Sequence, residues 1–273
     1  MISGLYPKQP EFVLVTSDYT KRQFMQHNIA HFYQFVAETN KMGVIPDASV
    51  DILFCKKDGM IKTMIAGTRL EKEETLTDLH GEYFGVRFML GINPVSDKMK
   101  LSELVNNQEN FVNMITSSDE KEQLLEGMYE ADSFEDKIHV FLRYYAKHKD
   151  VSSEDKYNLK YVLLQEIVKA DGDLKLTDLC SKTGYSERYL NMTVNKEFGM
   201  SPKSLIQFVR FQKVISNLTG ALGHNSCINA ALECGYYDQS HMNKEFKRLS
   251  GLTPKNYVNN LLNNSYDKKL HLR

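Results

Sequence analysis

The chain has 273 residues, of which 42% are hydrophobic and 25% are charged, as is typical of one or two globular domains. The 34 Lys and Arg balance 35 Asp and Glu, and the net charge of -1 argues against a nucleic-acid-binding protein of the kind whose whole chain is basic. The sequence contains no apolar run of the roughly 18 residues that a membrane helix needs and no signal-peptide pattern, so we expect a cytoplasmic protein with no membrane partner.

The first third of the chain predicts a β-rich domain over residues 1–98. Short β-prone segments at 11–16, 49–55, 60–68 and 83–90 are separated by turn signals such as Asp58-Gly59 and Asn93-Pro94. Residues 19–39 fit either a pair of strands or a helix. The spacing favours a small sandwich or barrel.

From residue 99 the apolar residues fall at helical spacing, as at Phe134, Ile138, Phe141 and Tyr145. This pattern predicts a helical connector over residues 99–150. The charged, turn-rich segment 147–156 is the best candidate for an interdomain linker.

The charge is divided unequally at this linker. Residues 157–273 hold 16 Lys and Arg and 10 Asp and Glu, a net charge of +6, and the rest of the chain has a net charge of -7. A nearly neutral protein is therefore a basic half joined to an acidic half. Such a division also arises by chance between two domains, so it has weight only where motifs agree with it.

Two similar units lie about 51 residues apart in the basic half. In each, apolar or small residues at i, i+3 and i+4 precede a Gly by four residues, and a further helical pattern follows. The units are Leu176-x-x-Leu179-Cys180-x-x-x-Gly184 and Cys227-x-x-Ala230-Ala231-x-x-x-Gly235. This arrangement is typical of a helix-turn-helix, because Gly adopts the positive φ that a tight turn between crossed helices needs.

The helix after each Gly has one apolar face and one polar face. Leu190, Val194 and Phe198 form the apolar stripe in the first unit, and Met242 and Phe246 form it in the second. The opposite faces hold the amides and cations that the edges of base pairs in a major groove require. Their residues are Arg188, Asn191, Met192 and Asn195, then Gln239, Ser240, Asn243, Lys244 and Lys247. Met192 is the apolar exception on this polar face. It is either a contact to a thymine methyl group or a residue that packs at the rim of the protein scaffold.

Residues 201–218 predict an amphipathic linker helix between the two units. Ser201-Pro202 is a strong helix start, and Thr253-Pro254 repeats it after the second unit. A rigid linker helix would let one chain insert two recognition helices into successive major grooves.

Residues 170–260 resemble the C-terminal DNA-binding domain of the AraC/XylS transcriptional regulators. The resemblance rests on residues 184–202, 209–214 and 235–254, with departures at Tyr236-Tyr237 and Ala230. The fold class that it implies is α+β: an N-terminal β-rich, cupin-like barrel or sandwich at 1–98, a connector at 99–150, and an all-α domain with two helix-turn-helix motifs at 151–273. The DNA-binding residues that it implies are Arg188, Asn191, Met192, Asn195, Lys196, Gln239, Ser240, His241, Asn243, Lys244 and Lys247.

The N-terminal segments 44–54 and 85–91 resemble those of a subgroup of uncharacterised AraC-type regulators. This resemblance names no ligand. Aromatic side chains of the domain are candidates for a ligand pocket and equally for the core. The candidate ligand-binding residues are Tyr33, Phe35, Phe54, Phe84 and Arg87.

Three weaker signals have more ordinary interpretations. His27, His31 and His80 are candidates for a metal site, but without a fixed carboxylate or Cys partner we favour ordinary histidines. Asp47 and Asp51 are more economically explained by a turn than by paired catalytic acids.

Arg87 is either a buried anchor for a carboxylate, from Asp51 or from an acidic ligand, or a residue on the outward face of a strand. The cysteines show no C-x-x-C spacing, so we expect thiols and no zinc site. Cys55 is the candidate for a reactive thiol in the N-terminal half.

The sequence therefore predicts a ligand-responsive transcription regulator that binds double-stranded DNA, with no catalytic residues, metal or cofactor. Two alternatives stay open: a DNA-targeted enzyme or repair sensor with a reactive Cys, and a ligand-free regulator whose N-terminal domain only dimerises or binds protein. RNA polymerase, a small-molecule effector and a second copy of the chain are further candidate partners. Activation and repression are not distinguished.

Overall fold

The computed structural model describes residues 7–37, 39, 41–76, 80–148, 158–222 and 234–273. The strands are β1 (Tyr19–Gln26), β2 (Ile29–Ala37), β3 (Lys41–Val44), β4 (Asp51–Lys57), β5 (Met60–Ala66), β6 (Glu73–Leu76), β7 (Gly81–Phe88), β8 (Gln108–Glu109) and β9 (Leu270–Leu272). The helices are α1 (Pro10–Leu14), α2 (Leu101–Leu104), α3 (Ser118–Glu130), α4 (Phe134–His148), α5 (Leu159–Lys169), α6 (Leu176–Thr183), α7 (Glu187–Phe198), α8 (Pro202–Gly220), α9 (Gln239–Ser250), α10 (Pro254–Asn263) and α11 (Tyr266–Lys269), with a 3-10 turn at Phe111–Met114.

The N-terminal part is β-rich, as predicted, and its main sheet has the strand order β8-β5-β4-β7-β2-β1-β9. Strands β3 and β6 form a second, two-stranded sheet. Residues 19–39 form the strand pair β1–β2 and no helix. The chain reverses at His27 and Asn28, whose φ angles of 54° and 64° are compatible with a tight hairpin turn.

The strand predicted at residues 11–16 is wrong, because residues Pro10–Leu14 form helix α1. Pro10 occupies the first helical turn, where its fixed φ favours a helix. Glu11, Phe12 and Val13 are all buried, so buried and exposed side chains do not alternate along the segment as they do in a half-buried strand. A short apolar run does not distinguish a buried strand from a buried helical turn.

The two faces of the main sheet are covered by different parts of the chain. The connector face carries Phe54 and Phe84, and Phe134 and Phe141 of the connector helices pack against them. Successive side chains of a strand point to opposite faces, so Tyr83, next to Phe84, lies on the other side. The helices that were predicted as a connector thus complete the core of the sheet.

The other side, which we call the C-terminal face, carries Tyr33, Phe35 and Tyr83. Their apolar core is continuous with the buried residues of α5, α7, α8, α9 and α10, such as Phe208 and Phe246. Strand β9 adds to the edge of the sheet by parallel pairing with β1. Residues from the range 151–273 therefore contribute both a covering layer and a strand to the sheet of residues 1–98.

Candidate nucleic-acid interface

The first helix-turn-helix consists of α6 and α7. Gly184 ends α6 in the left-handed conformation, with φ of 74°, and its N–H donates to the Cys180 carbonyl at 2.8 Å. Ser186 then caps α7 by accepting from the Tyr189 N–H at 3.3 Å. The role predicted for the glycine is confirmed. A Cβ on Gly184 would meet no atom within 4 Å, so the backbone angle is the reason for glycine here.

Helix α7 buries the predicted stripe and exposes the predicted face. Leu190, Val194 and Phe198 are fully buried. The face directed to solvent holds Arg188, Met192, Asn195 and Lys196, with Asn191 partly covered at its edge. Two polar chains of this face donate to the backbone of their own helix, Asn191 to Glu187 O at 2.9 Å and Asn195 to Asn191 O at 2.7 Å. Each side-chain NH₂ has two N–H groups and uses one of them in this way, so a base contact does not require loss of the internal hydrogen bond.

The second motif is described from Cys234 onward, and the predicted first helix, with Cys227, Ala230 and Ala231, lies outside the described residues. Gly235 has φ of 71°, and a Cβ there would collide with Asp173. Asp238 caps α9 by accepting from the His241 N–H at 2.7 Å. The exposed face of α9 holds Gln239, Ser240, His241, Lys244 and Lys247, with Asn243 partly covered.

Helix α8 joins the two motifs and positions α9 through charged groups. The predicted N-cap Ser201 accepts from the Ser204 N–H at 3.1 Å, with Pro202 following it. Arg210 in α8 forms a 3.2 Å ion pair with Glu245, which is buried in α9, and its guanidinium lies 4.7 Å from the centre of the Tyr236 ring. Sequence reasoning missed Arg210 and Glu245. The residues around Glu245 are mostly polar, so no local sequence pattern indicates that this Glu is buried.

The ligand candidates fall on both faces of the sheet. Tyr33, Phe35 and Arg87 lie on the C-terminal face. Phe54 and Phe84 lie on the connector face, packed among aromatic rings of the connector. The structure therefore does not bring the five residues around one space.

Arg87 is buried and binds Asp51, which is one of the alternatives for this residue. Its Nε donates to Asp51 Oδ1 at 2.9 Å, its Nη2 donates to Asp51 Oδ2, and its Nη1 lies 3.3 Å from Asp47 Oδ2. Burial raises the pKa of Asp51 in spite of this partner. Neighbouring His31 is also buried, which lowers the pKa of its imidazole well below the usual value. Among the described residues no three side chains of the metal-binding types come together.

Sequence reasoning also missed a buried carboxyl on α1. Glu11 Oε1 accepts from Tyr257 Oη of α10 at 3.0 Å, whereas its Oε2 has no hydrogen-bond partner among the described residues. Burial raises the pKa of Glu11 to about 7. A cleft beside it is lined by α1, the two-stranded sheet and α10, including Lys72 and Asn260.

The structure also bears on the predictions of unpaired thiols and of no membrane partner. The described cysteines Cys55, Cys180 and Cys234 are not joined in disulfides. Within the described ranges, no helix has both the length and the apolar composition that crossing a bilayer requires.

Residues 179–260 match a protein family described as "Helix-turn-helix domain". No curated protein matches the sequence. Several solved structures of ToxT from Vibrio cholerae are similar over most of the chain. A structure from strain O395 is 16% identical over 89% of this chain and 96% of that chain, with a TM-score of 0.43, and a 1.65 Å structure is 15% identical over 94% and 93%, with a TM-score of 0.41. A structure of unsaturated fatty acid bound wild-type ToxT is 14% identical over 88% and 93%, with a TM-score of 0.39.

Proposed function

We propose that this protein is a transcription regulator of the AraC type that inserts α7 and α9 into successive major grooves of DNA, because residues 179–260 match a helix-turn-helix domain family. The observation that carries the proposal is a pair of capped helices, each with a buried apolar stripe and an exposed polar face, joined by α8. The 19 residues of α8 span about 28 Å at 1.5 Å per residue, somewhat less than the roughly 34–36 Å of one turn of DNA.

Phosphate contacts would supply most of the affinity. Arg188, Lys196, Lys203, Lys244 and Lys247 are all exposed on the two motifs or at the start of α8. Cations in these positions release counterions from DNA when they bind, so affinity should fall steeply with salt. The neutral net charge of the whole chain does not oppose this, because the excess of positive charge is confined to the half that carries both motifs.

Base readout is assigned to the polar faces and is tested by comparing DNA sequences. Arg188→Ala and Asn243→Ala should weaken binding to a selected duplex more than binding to a random duplex, with discrimination reduced by about 1–3 kcal/mol. Fluorescence anisotropy at fixed salt measures both affinities. Arg143→Ala, an exposed cation on α4, is the matched control. Equal losses on both duplexes for the two test variants would contradict base readout by these residues.

We further propose that the protein responds to a small molecule. The support is the cleft beside Glu11 between α1 and α10, where a buried carboxyl oxygen has no hydrogen-bond partner in the part of the chain that the structure describes. Buried polar atoms in folded proteins nearly always have a hydrogen-bond partner. An unsatisfied oxygen next to a cleft therefore indicates that a ligand bound in the cleft supplies the missing donor. A thermal-shift screen of the full chain tests this, since a true effector raises the melting temperature with its concentration. A regulator that only dimerises would respond to no compound.

No enzymatic activity is included in the proposal. The alternative of a DNA-targeted enzyme requires an activated thiol, for which Cys55 on β4 is the candidate. A thiol-labelling titration of Cys55 with an ordinary pH profile would remove that alternative. A role in transcription implies the compartment that holds DNA, the cytoplasm of a bacterium, and makes RNA polymerase and a second copy of this chain the partners to test next.

A further inference from the structure

The two recognition helices differ at equivalent positions. The N-caps Ser186 and Asp238 provide a common origin for counting along α7 and α9. Six residues after the cap, α7 has Met192 and α9 has Lys244. Three residues after the cap, α7 has Tyr189 and α9 has His241. The same scaffold thus presents an apolar centre on one helix and a cationic centre on the other.

Met192 and Tyr189 are exposed apolar groups with no place in the core. Met192 is 63% exposed and Tyr189 is 46% exposed. Met192 projects opposite the buried stripe of α7, so it does not pack at the rim of the scaffold. The Tyr189 ring stacks on that of Tyr185, with centroids 4.7 Å apart and planes inclined by 22°. Tyr189 precedes Met192 by three residues, so the two side chains are neighbours on the exposed surface of α7.

The groups around Met192 indicate what would cover it. Arg188 and Lys196 flank it on the same exposed face, where both can meet phosphates, although Lys196 also lies 3.9 Å from the Glu197 carboxylate. An apolar side chain between two cations is complementary to a major groove, in which the base edges lie between two phosphate backbones. The apolar group that base pairs present in the major groove is the thymine 5-methyl, and the flexible thioether of Met adapts to such a small target.

We propose that Met192, supported by Tyr189, contacts thymine 5-methyl groups, so that the half-site under α7 is specified by thymines while α9 reads its half-site with polar and charged side chains. This inference rests on the proposed function and extends it to the chemistry of each half-site. The operator should therefore consist of two unlike halves.

The experiment removes the methyl group from DNA and the thioether from the protein. The full chain first selects its site from random duplexes, and each thymine of that site is then replaced singly by deoxyuridine, which lacks only the methyl. At one or two positions in one half-site, wild-type affinity should fall about fourfold, as expected for one buried methyl-sized group. Met192→Ala should bind the thymine duplex about fourfold more weakly and show no further loss on the deoxyuridine duplex.

Two controls accompany Met192→Ala. Met192→Leu retains an apolar chain and should retain part of the sensitivity to deoxyuridine. Lys244→Ala, at the equivalent position of α9, should lose affinity while its sensitivity to deoxyuridine remains that of the wild type. Because Met192 is exposed, Met192→Ala should melt at the wild-type temperature, so that a loss of binding is not a loss of folding.

Four outcomes would overturn the inference. If no sequence is enriched, the proposed function fails and this inference fails with it. A selected site whose affinity is indifferent to deoxyuridine, or whose sensitivity persists in Met192→Ala, would overturn the inference alone. Unchanged affinity of Met192→Ala on the thymine duplex would do so as well and would assign the exposed patch to a protein partner.

Discussion

Arg87 is a charged side chain that is 1% exposed, and its charge is balanced by Asp51 and Asp47. Replacing it with Met keeps much of the apolar stem but leaves two buried aspartates without their cation. We expect Arg87→Met to lower the free energy of unfolding by about 3–5 kcal/mol, as measured by urea denaturation.

The control for this prediction is an exposed arginine that also has a carboxylate partner. Arg22 pairs with Glu135, and both side chains are more than a third exposed. Arg22→Ala should change stability by about 0–1 kcal/mol. If both variants lose similar stability, the position of Arg87 in the core is not what makes it important.

Glu11 predicts a loss of stability as pH rises. Its pKa is raised by burial from 4.5 to about 7, so the folded protein holds this proton more tightly than the unfolded chain. The stability that this proton maintains is complete below pH 4.5 and is lost as pH rises to about 7. The loss should amount to roughly 3 kcal/mol at most.

Glu11→Gln should remove this dependence, because its side chain has the same shape and carries no ionisable proton. Urea denaturation at pH 5 and at pH 8 measures the change in stability with pH, because these values lie on either side of the Glu11 pKa of about 7. Glu122→Gln, an exposed residue of α3, should retain the wild-type pH dependence. The same dependence in the wild type and in Glu11→Gln would show that another group is responsible.

Single side chains were predictable where their partners are close in sequence or on a neighbouring strand. The pairing of Arg87 with Asp51 was one of the alternatives, because a charged residue in an apolar strand needs a partner. Glu11 was not predictable as a buried acid. Its partner Tyr257 is 246 residues away, and no local pattern connects them.

At the scale of elements, the side-chain amide of Gln212 is one of the groups that hold α8 to the N-terminal part, beside the hydrogen bond from Lys8 Nζ to Thr219. Gln212 is fully buried, with its Oε1 accepting from the Lys8 N–H at 2.8 Å and its Nε2 donating to the carbonyls of Lys8 and Pro46 at 3.2 Å and 2.9 Å. Gln212→Leu should destabilise the protein by about 2–4 kcal/mol, since it leaves buried backbone groups without partners.

Hydrogen exchange provides a direct measurement for this contact. The Lys8 amide should exchange faster in Gln212→Leu than in the wild type, because its acceptor is lost. Lys213→Leu is the neighbouring control, with a partly exposed ion pair to Asp171, and should leave Lys8 protected. Protection of Lys8 that survives in Gln212→Leu would contradict the proposed attachment.

Helices and strands were predictable where the residues that determine them lie within the same segment. The helices α7 and α8 follow from caps and periodicity within the segment, and both are confirmed. Helix α1 was mistaken for a strand, because four buried residues in a five-residue helix show neither a strand period nor a helical one. Strand β9 was not predicted, since three residues become a strand only through pairing with β1.

At the scale of the whole molecule, the two oppositely charged halves are joined mainly by apolar packing and by hydrogen bonds. Within the described part of the chain, the His271–Asp18 pair is the ion pair that joins the acidic half to the basic half, and both side chains are exposed. Attraction between the opposite net charges is therefore not the main force that holds the halves together. The sequence showed the charge division but could not show the continuous core.

This predicts opposite responses of folding and DNA binding to salt. Between about 50 mM and about 200 mM salt, affinity for DNA should fall by at least tenfold, since it depends on released counterions. Over the same range the unfolding midpoint should hardly change. Anisotropy titrations and urea denaturation in the same buffers measure the two responses. A large drop in stability with salt would show that charge does hold the halves together.

The parallel pairing of β9 with β1 bears on how the chain matures during synthesis. Strand β1 leaves the ribosome early, but the strand that completes its edge is encoded at residues 270–272. A nascent chain halted before Leu270 already carries α7 and α9 in full, yet its sheet still has an open edge. The sheet of the β-rich part is therefore completed only after α7 and α9 have been translated, so that an interrupted translation product has an unfinished sheet.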